Sequence, residues 1–334
     1  MTIKERSFGA SGAATESAGT PFFCPEHEVQ LSASPTQLVC ERGETYPVRN
    51  RIPRFVGEAT YADAFGLQWK TYRKTQLDSY SGTTITRERM RRSLSEGIWE
   101  RLPGSQVLEC GCGAGRFTEI LLDHGAHVTS IDLSSAVDAN AENFPVTDRH
   151  RIAQADILAL PFAPQQFDVV VCLGVIQHTP DPEATIAGLA AHVKPGGWLV
   201  IDHYTHSLSW WTKTAPAFRA VLRRLPVDKG LRWTERLVDI FLPLHKAVRG
   251  FRPAQAMVSR VSPVLSYYRA HPELNDKLQR EWALLDTHDS LTDWYRHLRS
   301  RKAIRRALEK AGLTSIWCEK GGNGVEARAM RPLA

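Results

Sequence analysis

The sequence predicts an α/β protein built on a mostly parallel sheet, with a small β module ahead of it and a helical insertion late in the chain. Three observations carry this. Val107-Leu108-Glu109-Cys110 reads as a buried strand, Gly111 to Gly115 as a turn, and Arg116-Phe117-Thr118-Glu119-Ile120-Leu121-Leu122 as a helix. Further apolar runs at 127–132, 151–155, 167–172 and 198–201 read as strands. Two of these runs end in an acid, Asp132 and Asp156, on the side of such sheets where ligands bind.

Composition bounds the rest. The chain has 334 residues, enough for one large domain with additions or for two domains. Apolar residues make up 43%, which supports a sizeable core. A formal charge of +6 does not by itself imply nucleic acid. The six cysteines are scattered and read as free thiols in a reducing compartment. No stretch has the length of a transmembrane helix, and the first residues lack an apolar signal core, so a cytoplasmic protein is expected.

Residues 1–20 are rich in Gly, Ala, Ser and Thr and read as a disordered lead. Residues 21–56 form a separate small β module. It carries Cys24-Pro25-Glu26-His27, then Cys40, then Tyr46-Pro47-Val48 and Ile52-Pro53. This pattern resembles the zinc ribbons that accompany some methyltransferases. His27 can stand for a cysteine, but the second knuckle, Cys40-Glu41-Arg42-Gly43, offers no second ligand. A structural zinc site wants four, so the module reads as a ribbon that keeps its fold and holds no metal. Residues 57–100 read as a helical lid, with Phe65, Trp69, Tyr72 and Gln76 at helical spacing. Phe65 is expected in the core; Trp69, Arg73 and Gln76 are expected to face the cofactor or the acceptor.

The core proper spans 101–204. Its glycine loop reads G-x-G-x-G, not the G-x-G-x-x-G of dinucleotide sites, and Glu109 precedes it. A carboxylate there would repel a pyrophosphate and suits a cationic amino group, which argues against a nicotinamide-dependent oxidoreductase. Glu109-Cys110-Gly111-Cys112-Gly113-Ala114-Gly115 resembles the first motif of the class I S-adenosylmethionine-dependent methyltransferases. The resemblance covers roughly 100–204 and 302–331, and it implies a Rossmann-like sheet with a terminal antiparallel hairpin. It implies S-adenosyl-L-methionine as cofactor and S-adenosyl-L-homocysteine as product. It places Glu109, Gly111, Cys112, Gly113 and Gly115 at the cofactor, with Asp132 on the ribose hydroxyls and Leu133 beside the adenine. Asp156 would accept from the adenine amino group and Ile157 would pack on the ring. Backbone groups at Cys172 and Leu173, at the exit of the fourth strand, would lie near the methionine end, and Gln177 is placed at the cofactor. A pure scaffold protein would need neither Asp132 nor Asp156.

Residues 205–300 read as a helical cap insertion. From Lys213 to Arg260 it carries eleven Lys or Arg against three Asp or Glu, interleaved with Trp, Phe and Leu. A solvated basic face over the acceptor pocket is the expected reading; an anionic acceptor, or a membrane surface carrying a lipid-linked acceptor, is the alternative. The acceptor is expected to be a small or medium-sized molecule such as a sugar or a natural-product intermediate, with no stable nucleic-acid partner. A hydroxyl acceptor needs a base, and the candidates in order are His203, His288 and His178, with Asp286 as an orienting partner. Residues 301–334 supply the last helix and the closing hairpin. Oligomeric state is left open.

Overall fold

The computed structural model describes residues 21–57, 60–206 and 213–333; the predicted disordered lead, 1–20, lies outside them. Strands β1 (Ser32–Ala33), β2 (Gln37–Val39), β3 (Thr45–Arg49) and β4 (Ile52–Pro53) form a four-stranded antiparallel sheet in chain order. It closes over Cys24, Leu31, Leu38 and Cys40. Helices α1 (Asp63–Thr71), α2 (Asp78–Ser81), α3 (Ile85–Leu94) and α4 (Glu96–Trp99) follow.

The large sheet is built from β5 (Gln106–Cys110), β6 (His127–Asp132), β7 (His150–Gln154), β8 (Phe167–Cys172), β9 (Val193–Tyr204), β10 (Thr314–Gly321) and β11 (Gly324–Met330). Its order is β10-β11-β9-β8-β5-β6-β7. Only β11 is antiparallel to its neighbours, so β10 runs with the parallel set. β5 starts in the middle and the chain fills outward on both sides of it. This leaves a crevice at the carboxyl ends of β5 and β8, where ligands bind in open α/β sheets. Helices α5 (Arg116–Asp123), α6 (Ala136–Asn143) and α7 (Pro182–Ala191) connect these strands. Asp181 caps α7, its side chain accepting from the Ala184 amide at 2.9 Å, with Pro182 at the first helical position.

One expected turn is absorbed into a strand. Lys194-Pro195-Gly196-Gly197 lies inside β9, and the ladder register shifts between Phe167 and Val169 opposite it. The Gly196 amide donates to the Arg331 carbonyl and the Arg331 amide donates to Gly197, both at 2.9 Å. The segment therefore finds its partners in the chain's tail, which local spacing does not reveal.

Helices α8 (Ala215–Leu222), α9 (Val227–Ala247), α10 (Arg252–Val261) and α11 (Asp276–Thr292) make up the insertion, and α12 (Arg301–Lys310) returns to the sheet. The insertion has its own core, including Leu231, Val238, Leu242, Leu284 and Leu291. α1 packs against α6, α9 and α11, which brings lid and insertion together over the carboxyl end of the sheet. Two ion pairs tie α3 to the strands: Arg89 with Asp202 at 2.5 Å and Arg92 with Glu326 at 2.7 Å. Among the described residues no helix is long and apolar enough to cross a membrane.

Candidate active site

A cavity of about 1070 Å³, its mouth included, opens at the carboxyl ends of β5, β6 and β8. The glycine loop forms its floor. Gly111 has φ +76°, and a Cβ there would lie 2.2 Å from a methyl of Val175. A Cβ on Gly113 would lie 3.0 Å from the Trp69 ring, so lid and loop approach as closely as a bare backbone allows. Asp132, at the end of β6, braces the loop. One carboxylate oxygen accepts from the Gly113 amide at 3.0 Å, the other from the Ser134 amide and hydroxyl at 2.8 and 2.7 Å. Asp132, Leu133, Asp156, Ile157, Gly111, Cys112, Gly113 and Leu173 all line the cavity. Asp156 also caps the short helical turn after β7, accepting from the Leu158 amide at 2.9 Å. Gly115 caps α5 behind the loop at φ +98° and does not line the cavity.

Besides Gly115, four residues expected at the cofactor do not line the cavity. Strand alternation puts Glu109 on the Val107 face of β5, beneath α5, where it accepts from Thr118 Oγ1 at 2.5 Å and Ser130 Oγ at 3.0 Å. Burial pushes its carboxyl up to about 7 despite these hydrogen bonds. It ties β5, α5 and β6 together and is off the cavity wall, so the argument for a cationic ligand from its charge does not stand; the loop spacing does. The Cys172 side chain is sealed in the core and the residue does not line the cavity, whereas Leu173 does. Gln177 is buried off the cavity, its amide without a hydrogen-bond partner among the described residues. Arg73 turns away to Asn143 and Glu142. Trp69 and Gln76 do line the cavity, and so does Phe65, which the sequence placed in the core.

Of the three candidate bases only His178 lines the main cavity. His203 and Tyr204 are neighbours on β9, so their side chains point to opposite faces. Tyr204 faces the cavity; His203 is buried on the other side, its Nδ1 2.8 Å from the Tyr204 carbonyl oxygen. His288 lies on the far side of α11, beside Thr234 Oγ1 at 3.3 Å, in a separate cavity bounded by Gly230 and Leu222. Burial pushes it down to about 4. His178 lines the main cavity. Its Nδ1 lies 3.2 Å from Asp293 Oδ2 and 3.2 Å from the Tyr295 carbonyl oxygen, and its Nε2 lies 3.7 Å from Asp289 Oδ1. Phe65 and Tyr204 meet its ring edge-on at 5.5 and 5.3 Å. Burial alone would push His178 down; the Asp289 and Asp293 carboxylates outweigh it and hold the imidazole above its ordinary value. Arg219 Nε holds Asp293 in turn at 2.5 Å.

Asp286 stands one helical turn from Asp289 on the cavity face of α11. It accepts from Gln76 Nε2 at 3.1 Å and from the Tyr267 hydroxyl. Gln76 Oε1 accepts in turn from Arg116 at 2.9 Å. Arg116 lies between the Phe117 and Trp282 rings, and burial pushes it down to about 10, still cationic at neutral pH. The sequence reading passed over Arg116, although it directly follows Gly115 at the first turn of a helix beside the ligand loop. Arg89, Arg116, Tyr204, Asp286 and Asp289 also border a second chamber, which the insertion encloses with Lys213, Gln255, Ser262, Ser266 and Arg296.

Comparison with known proteins agrees with this geometry. Residues 108–201 match the family model described as a methyltransferase domain. A ubiquinone biosynthesis O-methyltransferase of Xylella fastidiosa is 32% identical over 195 residues, 53% of this chain and 76% of that protein. One of Aromatoleum aromaticum is 32% identical over 174 residues, 50% of this chain and 72% of that protein. Ubiquinone biosynthesis O-methyltransferases of Coxiella burnetii are 34% identical over 127 residues, 37% of this chain. The chain spans 54% of the length of those relatives.

Proposed function

This chain belongs to the class I S-adenosylmethionine-dependent methyltransferases, and from that premise we propose that it methylates a hydroxyl of a small polar acceptor that extends from the second chamber into the main cavity, past the Tyr204 and Asp289 they share. The observation that carries this reading is His178, held on the cavity wall by Asp293 with Nε2 free of any hydrogen-bond partner among the described residues. Such an imidazole can take a proton from an attacking hydroxyl, with Asp293 fixing its orientation and stabilising the charge it gains. Three relatives of this chain carry the name O-methyltransferase.

The residues of the cleft fit the cofactor. Asp132 offers acceptors to a ribose at the end of β6, and Asp156 with Ile157 flanks the space for a base. Gln68, 1% exposed, lines the cavity with Oε1 lacking a partner among the described residues. Bound S-adenosylmethionine would supply a methyl group on a sulfonium, which is already a good leaving group. The chain's task is then positioning, proton removal and exclusion of water by the Phe65 and Trp69 lid. In the second chamber Arg116 and Lys213 favour an acceptor that carries a carboxylate or phosphate, Arg89 being already paired with Asp202, and Ser262, Ser266 and Gln255 suit a hydroxylated one such as a sugar or a natural-product intermediate.

Asp132→Ala is expected to weaken S-adenosylmethionine binding by about 1–3 kcal/mol, the cost of two ribose hydrogen bonds. Calorimetry measures it directly, and unchanged affinity would remove Asp132 from the ribose. The acceptor class is read by incubating the protein with methyl-labelled S-adenosylmethionine and cell extract, then separating small molecules, lipids, RNA and protein. Label is expected in the small-molecule fraction. Label confined to RNA or protein would refute the reading.

One surface favours a second reading, a lipid-linked acceptor. Trp233, Ile240 and Leu244 share the outer face of α9, at 49%, 62% and 49% exposure, beside Phe251 and Met257 of the next turn and helix. The same stretch of chain carries Lys229, Arg232, Arg236, Lys246 and Arg249, with Arg232 paired to Asp228 and Lys246 to Asp276. An apolar stripe within basic residues suits an anionic bilayer surface. Label in the lipid fraction, with co-sedimentation on anionic but not neutral vesicles, would establish it.

A further inference from the structure

The N-terminal sheet carries a cluster that methyl transfer does not use. Its core holds four buried apolar residues, and the two most deeply buried are Cys24 and Cys40. A module this small rarely holds together by apolar burial alone. The turns after Cys24 and before Tyr46 face each other. Cys24 Sγ lies 3.5 Å from His27 Nδ1, Cys40 Sγ lies 3.6 Å from the same nitrogen, and Glu44 Oε2 lies 2.8 Å from it. All four donor atoms lie within 4.8 Å of one another.

These distances have a simple meaning. With zinc–sulfur bonds of about 2.3 Å and zinc–nitrogen bonds of about 2.05 Å, the sulfur–nitrogen edge of a tetrahedron is about 3.6 Å. Both sulfur–nitrogen distances fall on it. The nitrogen–oxygen contact is shorter than the corresponding edge of about 3.4 Å, so an entering ion would move the Glu44 carboxylate outward by roughly 0.6 Å. The surroundings suit thiolates. The Arg42 amide donates to Cys40 Sγ at 3.4 Å, the Tyr46 hydroxyl lies 3.2 Å from Cys24 Sγ, and the Glu26 and His27 amides turn towards the same sulfur. Such donors steady a ligating sulfur without competing for the metal.

We propose that Cys24, His27, Cys40 and Glu44 form a structural zinc site, with a carboxylate in the place of the cysteine that the second knuckle lacks. Spacing alone offers three donors, from which no metal is expected. The fourth donor lies at C-x3-E spacing instead of C-x2-C, and the Cys40–Glu44 turn brings it back: the Cys40 amide donates to the Glu44 carbonyl at 2.8 Å. Two thiolates and an imidazole select zinc over magnesium or calcium, and four protein ligands leave no open position for catalysis. The site nevertheless bears on the cleft. Ile52 of β4, fully buried, packs with Cys112 of the glycine loop, Val137 and Ile152. Arg54 clasps Asp138 at 2.5 Å and Gln154 at 3.1 Å.

The test uses the full chain, expressed with added zinc and purified with its thiols reduced and without chelator. Elemental analysis is expected to give about one zinc per chain. Glu44→Gln should weaken zinc retention by more than the roughly 10–100-fold that outer hydrogen-bonding partners cost, and Cys40→Ser should empty the site. Cobalt(II) alone, added to the metal-stripped wild type, should give the intense visible bands of a tetrahedral site with thiolate charge transfer; this readout needs no variant to fold. Less than about a tenth of an equivalent of zinc in the reduced wild type, zinc retained by Cys40→Ser, or a pale octahedral cobalt spectrum would each overturn the assignment.

Discussion

Replacing His178 with alanine is expected to lower the rate of methyl transfer by about 10²–10⁴-fold, the usual share of a general base, while S-adenosylmethionine affinity changes little. The expectation rests on position. His178 is the one histidine among the described residues that lines the main cavity, and its Nδ1 side is already committed to Asp293 and the Tyr295 carbonyl oxygen. Only Nε2 is left for an acceptor hydroxyl. The pH dependence gives an independent check. A base must be neutral to work, and the carboxylates beside His178 hold it above its ordinary value of about 6.5. The kcat/KM profile should therefore fall with falling pH from a point above that value. Asp293→Asn removes one of the carboxylates that raise it, so the acid limb should move to lower pH. Asp289, which burial and the neighbouring carboxylates push up to about 6, titrates together with His178, so the limb reports the pair. A variant lacking His178 that transfers methyl groups at the wild-type rate would exclude acid–base work by this residue.

Asp202→Ala is expected to cost about 3–5 kcal/mol of stability, read as a lower midpoint in urea at an unchanged slope. Asp202 is fully buried on β9 and holds two donors, Arg89 at 2.5 Å and the Gly174 amide at 2.5 Å. Removing the carboxylate strands the Arg89 guanidinium, whose side chain is 13% exposed. A buried charge without its partner is far more costly than a pair replaced by apolar groups of similar volume. Arg89→Met combined with Asp202→Leu should thus recover much of the loss. A midpoint shift worth less than about 1 kcal/mol for the single variant would show that water or another group satisfies Arg89. Gly174 lines the cavity, so the same carboxylate that supports the fold also fixes the exit of β8 against the ligand.

The sequence carries the sheet far better than the acceptor side. Strands β5 to β9 are buried runs with turns of recognisable chemistry between them, and Asp132, Leu133, Asp156 and Ile157 follow once the strand ends are known. Errors arise where one residue of offset reverses a side chain. His203 and Tyr204 exchange roles because a strand alternates, and Glu109 turns under α5 for the same reason. On α11 the cleft takes Asp286 and Asp289 while His288 points into a different cavity. A polar cluster such as 286–297 signals a site, but the helix face that reaches the cleft is set by α1 and α9 packing against it, from far away in the chain. The placing of Glu44 beside Cys24, His27 and Cys40 was not legible because only spacing within a knuckle was read, whereas the fold brings the four together across two turns.

The docking of the N-terminal module has a further effect on how the molecule behaves in concentrated solution. β7 is the outermost strand at one end of the large sheet, and an uncovered strand there would present a row of unused amides and carbonyls to other chains. The module occupies that position. Arg54 bridges Gln154 in parallel fashion, and the Phe55 amide donates to the Gln154 carbonyl at 2.8 Å. At the opposite end, β10 breaks its register between Thr314 and Trp317 and carries the charged pair Glu319 and Lys320. The carboxyl end of one rim is thus covered and the other rim is irregular and charged, which leaves less flat template for strand-to-strand stacking.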